Sequence, residues 1–119
     1  MATGTIQKNM VLLWTNPDLD ADFDAQTINL DLSSYDAVLI RFKVLYGGHT
    51  ATRVILIDEN EKVFDLNMSG SNMRFYHRSC FTSNSGVRFE VGHIRTQGTS
   101  GETDSKAVLK PRAIYGIRF

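Results

Sequence analysis

Cysteine occurs once in these 119 residues, as Cys80, so no disulfide can form within the chain. A catalytic thiol would need a base beside it, and nothing near Cys80 in sequence supplies a paired histidine motif. Cys80 reads instead as a small half-buried apolar residue of a strand. Net charge is also lacking, since 13 basic and 13 acidic residues cancel. That balance removes the global field a nonspecific nucleic-acid binder needs, so no nucleic-acid partner is expected. No apolar run approaches the roughly 18 residues of a membrane span, and the opening "MATGTIQKNM" has no signal-peptide core, so neither membrane insertion nor signal-directed secretion is expected. Glycine-rich phosphate loops, G-x-S-x-G and G-x-G-x-x-G motifs are all missing. The chain is therefore expected to be no enzyme and to need no cofactor.

A helical period is the last absence, and it leads to what is there. In "QTINLDL", Ile28, Leu30 and Leu32 alternate with Thr27, Asn29 and Asp31. In "AVLIRFKVLY", Val38, Ile40, Phe42, Val44 and Tyr46 share one face. Period two with β-branched and aromatic residues is the mark of half-buried strands. Further runs are 9–14, 52–58, 62–67, 73–81, 86–92 and the closing "AIYGIRF". Turn chemistry separates them, and "LID-ENE-KVF" reads as a hairpin. The polar "TQGTSGETDS" reads as a plain surface connection. The length and these runs predict one domain over 1–119, with 1–8 as an N-terminal arm. Its fold class is all-β: a single antiparallel β-sandwich, jelly-roll-like, of about eight strands. The expected core is Ile28, Leu30, Leu32, Val38, Ile40, Phe42 and Val44. The final strand is expected to bury Ala113, Tyr115, Ile117 and Phe119.

Four carboxylates, Asp18, Asp20, Asp22 and Asp24, sit at every second position. On one face of an extended segment they would repel one another, and the spacing suggests a calcium loop. That loop needs glycine where Phe23 stands and a bidentate glutamate where Asn29 stands. A solvated acidic loop is the better reading, and no metal site is favoured. His49, His77 and His93 have no metal-ligand spacing. Aromatic and basic groups in "LYGGHT" and "RFYHR" make Tyr46, His49, Arg74, Tyr76 and His77 the candidate contacts for a glycan or protein receptor. The plainer reading has Phe75 fill the core while Tyr76 and Arg78 make ordinary cross-strand pairs.

The segments Leu13 to Pro17, Phe23 to Leu32, Tyr35 to Ile40 and Pro111 to Ile117, with Arg74 to Tyr76 and Gly86 to Phe89 between, form a pattern. It resembles small structural proteins of tailed phages and prophages of Gram-positive gut bacteria. The motifs cover most of the chain and are structural, so they carry over no catalytic residues. The resemblance implies a virion protein made in the host cytoplasm: a tail-fibre or receptor-binding head that recognises the host surface, through a glycan or a protein. Its alternative is a purely structural subunit (head fibre, decoration or tail cap) that binds only other virion proteins. A cellular carbohydrate-binding module is a third class. By analogy with the family, the partners include copies of the chain itself, as a homotrimer. Leftover apolar residues Leu39, Leu45, Val11 and Leu13 agree with self-association.

Overall fold

The computed structural model describes residues 9–45, 49–69, 72–96 and 101–119, with the backbone alone for 60–69 and 72–73. The expected N-terminal arm and Tyr46 lie outside the described residues. Every element is a strand: β1 (Met10–Thr15), β2 (Gln26–Asn29), β3 (Ala37–Lys43), β4 (Thr50–Leu56), β5 (Asn60–Ser69), β6 (Asn72–Ser83), β7 (Gly86–Phe89), β8 (Gly92–Thr96), β9 (Thr103–Ser105) and β10 (Lys110–Ile117). Sheet A has the order β1-β10-β3-β4. Sheet B has the order β2-β7-β6-β8-β9, with β5 on the other edge of β6. All pairs are antiparallel.

Alternation explains the packing. Val38, Ile40 and Phe42 of β3 and Ile114 of β10 meet Tyr76, Cys80, Val87 and Phe89 of sheet B in one buried cluster, which Phe23, Leu32, Val108 and Leu109 complete from the loops. Phe89 stands edge-on to both Phe23 and Phe42, with ring centres 5.5 and 6.3 Å apart. Of the expected core, Leu32, Val38, Ile40, Phe42 and Val44 are buried, and Ile28 and Leu30 pack against it half-buried. Cys80, expected to be half-buried, is fully buried.

The jelly-roll likeness lies in β10, which inserts between β1 and β3. Elsewhere local hairpins dominate. Asn84 and Ser85 alone separate β6 from β7, with Gly86 at φ 149°. β7 and β8 follow one edge of β6 as a single broken strand. Four residues of β6, from Cys80 to His77, face five of the partner, from Phe89 to His93, which places a bulge at Glu90–Val91.

Three expectations need correction. The "LID-ENE-KVF" segment is no hairpin. Asp58, at φ 66°, turns the chain out of sheet A, and β5 pairs with β6 in sheet B. The hairpin is β5–β6, because the ten-residue β5 finds a full ladder only there. The "TQGTSGETDS" stretch is not a plain connection, since Thr103–Ser105 adds a strand to β8 (97–100 lie outside the described residues). In β10, it is Ile114 that points into the core. Of the expected set Ala113 is buried, whereas Tyr115 and Ile117 point outward, half-buried, and Phe119 is 80% exposed. A bulge between Pro111 and Ala113 resets the strand's parity relative to β3.

Candidate functional site

The candidate receptor residues that are described, His49, Arg74, Tyr76 and His77, do not form one site. His49 is exposed, and its carbonyl accepts from Val44 N across the β3–β4 turn. Arg74 is exposed on β6. Tyr76 is a core residue, 1% exposed, because β6 turns its even-numbered side chains inward; it cannot touch a receptor. His77 sits on the opposite, outer face of sheet B, yet it too is buried. Its ring stacks on His93, directly across from it, with centres 4.8 Å apart and planes 24° apart. His77 Nε2 meets Glu102 Oε1 at 2.9 Å, and His93 Nδ1 meets Asp104 Oδ1 at 3.1 Å and Glu102 Oε2 at 4.0 Å.

Two imidazoles and two carboxylates suggest a metal, but the geometry opposes one. A metal lies in the plane of each ligating ring about 2 Å from its nitrogen. Two nearly parallel stacked rings share no such point. Among the described residues no group of three or more candidate ligands is arranged to hold an ion. The cluster instead braces β9 and the segment before it against β6 and β8.

The aspartates do not pool their charges either. Asp18 Oδ1 accepts from Asp20 N, Asp20 lies 3.9 Å from Lys43 Nζ, and Asp24 pairs with Lys106 at 2.6 Å. That last contact raises the Lys106 pKa, chiefly through its hydrogen bond to Asp24. With three of the four carboxylates spent on different partners and no three candidate ligands gathered among the described residues, the calcium reading has no ligand set.

Of the plainer reading, Phe75 does not fill the core, being 38% exposed where Tyr76 is buried, and Arg78 is no ordinary cross-strand partner. It is fully buried. Nε and Nη2 donate to Val108 O, and Nη1 donates to Glu90 O at 2.7 Å and Phe23 O at 3.3 Å. Its guanidinium also lies 5.5 Å from the Phe23 ring centre. Desolvation pushes its pKa down to about 10, which leaves it cationic at neutral pH. Its role is to join three segments, the loop before β2, the Glu90 bulge and the loop before β10.

The outer face of sheet A is the feature the sequence reading found only in part. Leu12, Tyr115, Leu39 and Val54 stand side by side across all four strands, one from each. Met10, Ile117, Ala37 and Leu56 form the adjacent row, in which Ala37 is fully buried between its larger neighbours. Leu12 is 53% exposed, Val54 54% and Leu56 49%. Of the residues expected to remain outside the core, Leu39 lies in this face, whereas Leu13 and Leu45 pack on the core. The available signal was apolar character on both parities of "RVILI" as well as of "AVLIRF".

No family model, curated protein or solved structure matches this chain. The fold alone therefore sets its class, an all-β sandwich whose sheet A turns an apolar face outward.

Proposed function

We propose that this chain is a structural subunit of a phage virion that assembles with copies of itself through the outer face of sheet A. The observation that carries this reading is the pair of unpartnered apolar rows. Sheet faces in contact with water normally alternate polar residues outward, and a contiguous apolar face marks an interaction surface. Four strands about 4.8 Å apart, crossed by two or three rows, amount to roughly 300 to 400 Å². A standard interface takes about 800 Å² per partner, so the flanks near Arg41 and Phe119 join the contact. A second copy fits because it brings an equally flat apolar sheet, and two such faces can pack as the halves of a sandwich do. The virion context rests on the resemblance of the motifs at both ends and in the middle of the chain. Peptide mass spectrometry of purified particles from a host carrying this gene tests it: the chain is expected among the particle proteins, and its absence would remove the virion role.

Host recognition is the second reading. The part-exposed Phe75 of β6 and the exposed Arg95 directly across from it on β8 favour it, as neighbouring aromatic and basic groups on one face of sheet B. Purified protein that binds host cells and blocks infection would add this role. Protein that does neither would leave the structural one.

A further inference from the structure

We infer that the cleft between β1 and the loop before β2 binds a sugar ring, either uncharged or carrying an amino group. The cleft is about 300 Å³, at the lower end of the range for small-ligand sites. Its apolar walls are Trp14, Phe23 and Ile28, and its polar lining includes Asp18, Asp22 and Gln26. A pyranose presents a face of C–H groups and a rim of hydroxyls. An indole receives the first by stacking, and carboxylate and amide oxygens accept from the second.

The loop that forms the cleft has no regular secondary structure from Asn16 to Ala25, yet other segments hold it at many points. Asn16 donates through its backbone N to Arg112 O at 2.8 Å and through Nδ2 to Pro111 O at 2.9 Å. Lys110 Nζ donates to Ala21 O, Phe23 N donates to Lys106 O, and Arg78 holds Phe23 O from inside the core. The edge-to-face contact of Trp14 with Phe23, at 6.3 Å, fixes the indole from below. A site built this way has met the cost of ordering before the ligand arrives.

The groups left over point to the ligand class. Asp22 makes no hydrogen bond among the described residues and only lends its charge to Lys106 at longer range, and Gln26 uses its Nε2 on Asp24 O, which leaves Oε1 as an acceptor. Four aspartates against Lys43, Lys106 and Lys110 give the mouth a slight negative excess. That excess disfavours uronic acids and tolerates or favours amino sugars.

Trp14 is the only tryptophan, so its emission reports directly on the cleft. The full chain is titrated with glucose, galactose, N-acetylglucosamine, glucosamine and glucuronic acid. At least one of the first four is expected to give a saturable change with millimolar affinity, and glucuronic acid none. The exposed substitutions Gln26→Ala and Asp22→Asn are each expected to weaken the response roughly tenfold, with the melting temperature unchanged. No saturable response to any of the first four sugars, preferential binding of glucuronic acid, or full binding by both variants would each overturn the inference. None of these readouts depends on self-association, so the sheet A reading stands or falls separately.

Discussion

Arg78 grips the carbonyl of Val108 with two nitrogens, Nε at 3.3 Å and Nη2 at 2.9 Å, from a position with no exposed surface. Exchanging a buried charge pair for apolar residues can be neutral when both partners are replaced. Here the partners are backbone carbonyls, which no substitution can remove. Arg78→Leu would strand the carbonyls of Val108, Glu90 and Phe23, each at about 1 to 3 kcal/mol. We expect a loss of at least about 3 kcal/mol, or a melting temperature lower by about 10 °C or more. Arg78→Lys should fall between, since an ammonium lacks the planar fork. Thermal unfolding followed by circular dichroism decides it; an unchanged Arg78→Leu midpoint would show that the three segments hold without the arginine.

Gly116 and Tyr35 make a second close relationship. A Cβ on Gly116 would lie 2.6 Å from Tyr35 Cδ1 and 2.7 Å from Cε1, so the ring rests on bare backbone. Arg118 covers the other side, its guanidinium 4.5 Å from the ring centre. Gly116→Ala should therefore destabilise by about 1 to 3 kcal/mol through overpacking. In Tyr35→Ala the same change should cost much less. Urea unfolding of the four proteins of this cycle measures the coupling, and strict additivity would contradict the contact.

β10 is central to sheet A, between β1 and β3, and removing residues 115–119 would unpair Met10 to Leu12 on one side and Ala37 to Leu39 on the other. The cost comes from two lost ladders, whereas the outward-facing Phe119 contributes little to the core. We expect the shortened chain to be insoluble or to lack dispersed amide NMR signals. Phe119→Ala alone should leave the melting temperature of the separated subunit within about 2 °C. A shortened chain with parental stability would show that β1 and β3 pair without it.

The all-β class was legible because β3 alternates almost without exception, and five of seven expected core residues are buried. What sequence could not show was which sheet a strand joins. The "ENE" turn looks the same whether it closes a hairpin or carries the chain between layers. Bulges hid more. The one at Pro111 to Ala113 reverses which parity of β10 faces inward, and the one at Glu90–Val91 hid β8, of which the 86–92 run reached only Gly92. Arg78 was illegible for a different reason: its acceptors are carbonyls 12, 30 and 55 residues away, and carbonyls leave no mark in sequence. The aspartate spacing misled because an extended segment was assumed where the chain turns, as Asp18 caps Asp20 N. The apolar outer face was half visible through Leu39, and its rows appear only once β1, β10, β3 and β4 are placed in register.

The central claim is that the outer face of sheet A joins copies of this chain. Sedimentation equilibrium of the parent and of Leu12→Glu and Val54→Glu tests it most directly. Both substitutions are at half-exposed positions and should leave the fold intact, as circular dichroism can verify. We expect the parent to associate reversibly at micromolar concentration, and each variant to weaken association by at least about 30-fold, the effect of losing about 2 kcal/mol at an interface centre. A parent that sediments as a monomer across that range, or folded variants that associate as the parent does, would contradict the account.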